Sequence, residues 1–160
     1  MKKRPTQQIA ELSTTVEDAL VVAPGVYPAK LDSVCAEVLS RMLNHERMTS
    51  LDAVQGASTT RLAAVLHYLG KKYGWSFESI DKAAGCSDGR VAWVSEYFLC
   101  ASVVEMAQMR GAGLWCSKVQ KARRLRRRHA PIAKRDAARM NANRDTRRNP
   151  DQADLFEDGG

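Results

Sequence analysis

Side chains able to do covalent or metal chemistry are scarce in this chain of 160 residues, and the few present are scattered. Its three histidines, His45, His67 and His129, stand far apart, with no nucleophile or acid partner at a recognisable spacing. Its four cysteines, Cys35, Cys86, Cys100 and Cys116, form no C-x-x-C pair and do not group with the histidines at zinc-ligand spacing. No P-loop, G-x-S-x-G or H-E-x-x-H string occurs. Carboxylates gathered only by folding, as in a metal nuclease, are the one enzymatic route left open. The expectation is a non-enzymatic protein with no cofactor, metal or small-molecule substrate. Long apolar runs are missing too. No apolar run of about 7–15 residues follows the basic start Met1-Lys2-Lys3-Arg4, so a signal peptide is not expected. Nothing approaches the ~20 apolar residues of a membrane span. The cysteines are therefore expected to be reduced thiols in a cytoplasmic, nucleoid-associated protein.

What the chain does have is charge in blocks. Residues 1–109 carry 11 Lys/Arg and 12 Asp/Glu, whereas residues 110–148 carry 14 Lys/Arg and 2 Asp/Glu. Residues 149–160 hold four acids and no base. The overall +7 thus belongs to one segment with a local net of +12. Such a block attracts a polyanion, and double-stranded DNA is the expected partner.

Hydrophobic spacing divides the rest. Residues 1–29 read as an N-terminal arm, with Pro24, Gly25 and Pro28 opposing regular structure and a short helix conceivable over 11–20. Leu31, Val34, Cys35, Val38, Leu39, Met42 and Leu43 recur at helical period, with Asp32 or Ser33 as cap. A polar turn follows at 44–47, then a short helix over 49–54 capped by Thr49 or Ser50. Gly56 is the expected positive-φ stop of that helix. A third helix opens at 58–61 and runs to about Leu69, with Leu62, Val65, Leu66 and Leu69 facing the core. Strand formers dominate 75–80 and 90–98, around a polar loop at 81–89, which makes a β-hairpin. Helix, short helix, helix and hairpin in this order is the layout of a winged helix-turn-helix, placed at 30–99. A packed helix is expected over 99–109, then a break at Gly111-Ala112-Gly113. A second helix over 114–129 puts Trp115, Val119 and Ala122 on its packed side. Pro131 interrupts it before a marginal basic helix at 132–143. Residues 100–148 therefore form a basic helical extension, and 149–160 a disordered acidic tail. The fold class is mainly α with a small β-hairpin.

The stretches Met48-Thr49-Ser50-Leu51-Asp52-Ala53 and Thr60-Arg61-Leu62-Ala63-Ala64 resemble a family of small helix-turn-helix proteins from phages and prophages of Gram-negative bacteria. Those typically combine "I-T-S-L-E-A" and "T-R-L-A-A" helices ahead of a strand hairpin. This chain departs from the pattern at Val65, where many relatives carry arginine. The resemblance covers under half of the chain and supports the fold more than a role. In a helix-turn-helix the third helix enters the major groove. Its outward residues here would be Thr60, Ala64, His67 and Lys71, with Arg61 at the flank. Arg61 suits a bidentate contact to guanine, and Ser58 and Thr59 suit phosphate. On the wing, Arg90 joins Lys82 and Ser87 as a backbone contact, opposed by Asp81 and Asp88. The electrostatic anchor would be Lys118, Lys121, Arg123, Arg124, Arg126, Arg127 and Arg128, while Trp115 reads as a packing residue.

The tail adds a partner. Gln152-Ala153-Asp154-Leu155-Phe156 resembles the Q-x-D-L-F peptide with which bacterial polymerases, repair proteins and some plasmid initiators bind the replicative sliding clamp. The resemblance implies that Gln152, Asp154, Leu155 and Phe156 contact the bacterial clamp. Leu155 and Phe156 would each gain roughly 1.5–3 kcal/mol from burial in a pocket. The expected function is a non-enzymatic, phage-type DNA-binding protein docked on the sliding clamp. One alternative is a phage transcription regulator that binds an operator. The other is an inhibitor of a host complex, clamp or defence machinery, through protein–protein contact. A labelled peptide covering 147–160 should bind a bacterial clamp with a Kd on the order of micromolar. Fluorescence polarisation should show the binding vanish in Leu155→Ala/Phe156→Ala, and unchanged binding by that double variant would refute the motif.

Overall fold

The computed structural model describes residues 24–145. It is mainly helical, with six helices and one two-stranded antiparallel hairpin among the described residues. At its centre lies α1 (Val34–Leu43), whose Ser33 Oγ accepts from the Ala36 amide at 3.1 Å as N-cap. Seven of its ten residues are buried, including Glu37 and Ser40, so it is covered on more than one side. The short α2 (Ser50–Ala57) starts with a capping box: Thr49 Oγ1 accepts from the Asp52 amide, and the Asp52 carboxylate accepts from the Thr49 amide at 2.8 Å. Next, α3 (Leu62–Tyr73) buries Leu62, Leu66 and Leu69 against α1 and α2.

Between α1 and α2 the chain touches the hairpin. Met48 and Tyr97 exchange both backbone hydrogen bonds at 2.9 Å, giving the sheet a single-residue third rung. The hairpin itself pairs β1 (Glu78–Gly85) with β2 (Val91–Phe98), from Glu78↔Phe98 at its base to Gly85↔Val91 at its tip. Its turn is closed by Gly89 N–H donating to the Cys86 carbonyl at 3.0 Å and Cys86 N–H to the Arg90 carbonyl at 2.7 Å, with Gly89 at φ 85°. Such a turn, ending in a left-handed residue, selects glycine.

The core does not end at the hairpin. Helix α4 (Ala101–Met109) leads through Gly111 (φ 86°) into α5 (Ala112–Arg127), which packs along α1. Val103, Val104, Ala107, Ala112 and Cys116 join Leu39, Met42 and Leu69 in one cluster. The division at 99/100 therefore runs through a shared core: α4 and α5 supply part of the cover that α1 needs. Beyond them, α6 (Ala130–Asp145) exposes every side chain that is described, from Ala130 to Arg144.

Other boundaries also differ from the sequence expectation. Helix α2 runs through Gly56, and the left-handed stop falls on Ser58 (φ 58°). At Gly56 the absent Cβ leaves room for the Arg41 guanidinium, which would lie 2.6 Å from an added Cβ and would have to shift. Helix α3 continues past Gly70 to Tyr73, where Gly74 (φ 75°) caps it. Strand β1 begins at Glu78 and takes in residues 81–85, expected as loop, because pairing with residues 91–95 carries them. Pro131 sits in the first turn of α6, where its missing N–H is not required, and so starts that helix.

The described end of the N-terminal arm is strapped to the domain. Val26 N–H donates to the Tyr73 carbonyl at 2.7 Å, Trp75 Nε1–H donates to the Val26 carbonyl at 2.8 Å, and Tyr27 stacks on Trp115 at 4.9 Å. Gly25 passes so close that an added Cβ would collide with the Tyr73 carbonyl oxygen and approach Trp75 Cδ1 to 2.8 Å. Both obstacles are rigid. Gly25→Ala should therefore destabilise the fold by about 1–3 kcal/mol, measured by urea unfolding, and a neutral result would mean that the strap is not docked.

Candidate nucleic-acid interface

The residues that open and line α3 are turned outward. Ser58, Thr60 and Arg61 are exposed, Thr59 is half-buried, and Thr59 Oγ1 accepts from the Arg61 amide at 3.2 Å. No side chain caps α3, which leaves first-turn N–H groups for water or an anion. Along the helix, Ala64, His67 and Lys71 are exposed, while Val65 is half-buried against the core. His67 and Lys71 border a cleft of about 490 Å³ between α3 and the hairpin, floored by Trp75, Phe77 and Tyr97. Lys72 is drawn aside: its Nζ donates to the Tyr68 hydroxyl at 2.7 Å, a bond that raises its pKa. Asp52, the acid of α2, is held in the capping box, and the Thr49 amide and hydroxyl lower its pKa.

The seven basic residues proposed as the anchor, six on α5 and Arg128 at its C-cap, separate into three groups. Arg123 faces inward. Its side chain is 8% exposed, and it completes the buried stripe of Ala112, Cys116 and Val119. Its Nε pairs with Glu37, Nη1 donates to the Asp32 carbonyl at 3.0 Å and Nη2 to the Ala57 carbonyl at 3.4 Å. This corrects its assignment as a DNA contact: all three nitrogens are committed inside the protein. Arg126 and Arg127 lie at the rim. Arg126 Nη1 pairs with Asp32 Oδ2 at 2.5 Å, and Arg127 Nη2 pairs with Glu37 while also donating to the Gly56 carbonyl at 3.0 Å. Lys118, Lys121, Arg124 and Arg128 are exposed, and no described acidic residue pairs with them.

The spacing of α5 held the signal for this division. Positions 112, 116, 119 and 123 share a face at helical period, so an arginine at 123 had to be buried or break the stripe. Its partner was harder to find, since Glu37 lies outside the apolar stripe of α1. Glu37 is buried only because α5 covers that side.

The hairpin offers phosphate little. Arg90 Nε is bound by Asp88 at 2.6 Å, and Lys82 Nζ by Glu96 at 3.2 Å. Residues 78–98 hold four acids, Glu78, Asp81, Asp88 and Glu96, against these two bases. The side chains that stand out are apolar instead: Trp93 is 74% and Val91 72% exposed, on the face shared with Ala83 and Gly85. Sequence reading did not single them out. Trp115, by contrast, packs against the core as expected. The motif residues Gln152, Asp154, Leu155 and Phe156 lie outside the described residues.

No cluster of three or more His, Cys, Asp or Glu able to hold a metal occurs among the described residues. None of the described helices is long and apolar enough to cross a membrane.

The Asp32–Arg126 pair has a measurable signature. The hydrogen bond from Arg126 is the main cause that lowers the Asp32 pKa. A carboxylate whose folded pKa is depressed contributes stability above the ordinary Asp value, about 3.9, and that stability is lost as pH falls through the folded value. The thermal midpoint should therefore begin to drop below about pH 4, less steeply in Arg126→Gln. Identical acid profiles for the two proteins would contradict the pairing. No family model, no curated protein and no solved structure matches the chain, so the reading of this surface rests on its own chemistry.

Proposed function

We infer that this protein binds double-stranded DNA without catalysing a reaction, through a winged helix-turn-helix domain joined to the basic helices α5 and α6. The winged reading is supported by the element order and by the Met48–Tyr97 rung, which ties the segment before α2 to the hairpin. In it, α3 is the recognition helix, presenting Thr60, Arg61, Ala64, His67 and Lys71. The observation that carries the DNA reading is the fastening of α5 to the end of α2. Arg127 and Arg123 donate to the Gly56 and Ala57 carbonyls, one step before the turn that leads into α3. The basic end of α5 is thereby held beside the helix-turn-helix, and both offer cations to the same backbone.

Its C-terminal Q-x-D-L-F peptide supports docking on the replicative sliding clamp, which encircles the same DNA. Tethering a weak peptide to a DNA-binding body makes the second contact intramolecular, which multiplies retention by roughly 10²–10⁴. The exposed Trp93 and Val91, on a hairpin with more acids than bases, favour a second reading, in which the wing docks a protein and the chain obstructs or recruits host machinery.

Fluorescence anisotropy with a labelled duplex separates the two. If Arg61 and Lys71 of α3 act with Lys118, Lys121, Arg124 and Arg128, about six phosphates are neutralised, and affinity should fall on the order of 10³-fold between ~50 and ~200 mM salt. Absent or salt-insensitive duplex binding would sink the DNA reading and leave the wing as the working surface. A footprint confined to one sequence would identify an operator-binding regulator.

A further inference from the structure

Between α1 and α5 lies a cleft of about 250 Å³ whose walls carry four guanidiniums, Arg41, Arg123, Arg124 and Arg127, and two carboxylates, Glu37 and Glu46. Full ionisation leaves an excess of two positive charges in a half-enclosed space. The donors show where that excess is available. Arg123 spends its Nε and both Nη nitrogens on Glu37 and two carbonyls. Arg41 spends Nη1 on Glu46 at 3.2 Å and Nη2 on the Gly56 carbonyl at 3.3 Å, with Nε 3.9 Å from Glu37. Arg127 uses Nη2 alone, for Glu37 and for Gly56. Its Nε and Nη1 have no partner among the described residues, and neither has any donor of the Arg124 side chain.

Glu37 already accepts from Arg123 at Oε2 and from Arg127 at Oε1, and neither Arg124 nor the remaining nitrogens of Arg127 reach it. Arg124 and Arg127 stand one turn apart on α5 and so project to the same side. Gln120, one turn before Arg124, adds a neutral donor to the lining. We propose that this cleft is a phosphate-binding site, with Arg124 and Arg127 as its ligands and Arg41 and Arg123 as its fixed positive wall. Guanidinium forks match the tetrahedral oxygens of a phosphate group. Holding Arg127 by Glu37 and Gly56 lowers the entropy lost on binding. The phosphate comes either from a nucleic-acid backbone or from a free phosphorylated molecule. The first source depends on the DNA-binding reading above, and the second does not.

Two measurements on the full chain test the site, comparing the natural protein with Arg124→Gln and with Lys30→Gln, which removes the same charge from an exposed residue that neither lines the cleft nor belongs to the DNA-binding surface. Arg124 is exposed and its side chain has no described partner, so its replacement should leave the fold intact. In the first measurement, thermal unfolding is followed in inorganic phosphate and in chloride at matched ionic strength. Exclusion of phosphate from protein surfaces stabilises all three proteins alike. Site binding should raise the midpoint of the natural protein and Lys30→Gln by about 2 °C or more over Arg124→Gln. In the second, the salt slope of duplex binding should fall by about one in Arg124→Gln and stay unchanged in Lys30→Gln. A slope change identifies the nucleic-acid backbone as the source. A midpoint shift without a slope change identifies a free phosphorylated ligand. A midpoint shift in a protein with no duplex affinity keeps the site and removes the DNA reading. Equal midpoints and equal slopes for the two variants overturn the proposal.

Discussion

One buried carboxylate, Glu37, decides how the two ends of the described chain meet. It stands on the central helix α1, and both of its oxygens are engaged by arginines of α5. Withdrawing such a charge from water costs several kcal/mol, which is recovered only when its lone pairs are filled and its partners are satisfied as well. Here both oxygens are engaged and the buried partner is satisfied: Arg123 divides its nitrogens among Glu37, Asp32 and Ala57, and no buried side-chain polar atom among the described residues lacks a hydrogen bond. Loss of either partner would strand the other charge, at about 3–5 kcal/mol. An apolar seam would tolerate rotation of α5, whereas this network fixes both its angle and its register.

The same arginines finish α2. A helix ends with carbonyls that have no internal partner and with the negative end of its dipole. Gly56 and Ala57 supply two of those carbonyls, and Arg41, Arg127 and Arg123 cover them. Helix α2 is short and stops on a serine in the left-handed region, which carries a strain that glycine would avoid. Cationic donors from α1 and α5 offset that weakness, and Gly56 leaves the room for Arg41 to do so. The turn before α3 is thus positioned by side chains far away in sequence, and any groove contact made by α3 inherits its orientation from them.

Helices α1 to α5 were legible because each has apolar residues facing one core. Of the two cap candidates at each start, Ser33 and Thr49 took the role, and Gly111 stands at the expected break, through local chemistry that tertiary packing did not override. Strand β1 was not legible beyond its first residues. Asp81, Lys82, Ala83 and Ala84 show no alternation, since both faces of the hairpin are largely exposed and neither selects apolar residues. What extends the strand is the register set by the Gly89 turn and the Met48–Tyr97 rung, together with the cross-strand Lys82–Glu96 pair. A two-stranded hairpin has marginal stability by itself, so its base, half-buried at Tyr97 and Phe98, anchors the exposed tip. The positive-φ site was misplaced for a similar reason. Gly56 is the better left-handed residue, but moving the stop there would remove its carbonyl from the arginines.

The block of +12 over residues 110–148 overstates what a partner meets. Charge read from composition assumes that every cation reaches solvent, and helical period denies it. With 3.6 residues per turn, a run of arginines must point around the whole circumference of α5. One member, Arg123, therefore enters the core, two are drawn to acids at the rim, and Arg124 and Arg128 remain outside with Lys118 and Lys121. Inward and outward arginines serve different ends with one chemistry. Those inside satisfy Glu37 and the end of α2, which gives those outside a fixed place beside the turn between α2 and α3. A flexible basic tail with the same formal charge would attract DNA equally at a distance, but it would order itself at the moment of contact and lose affinity in proportion. The buried arginine thus acts on its outward neighbours by holding them in place, through its own bonds to Glu37, Asp32 and Ala57.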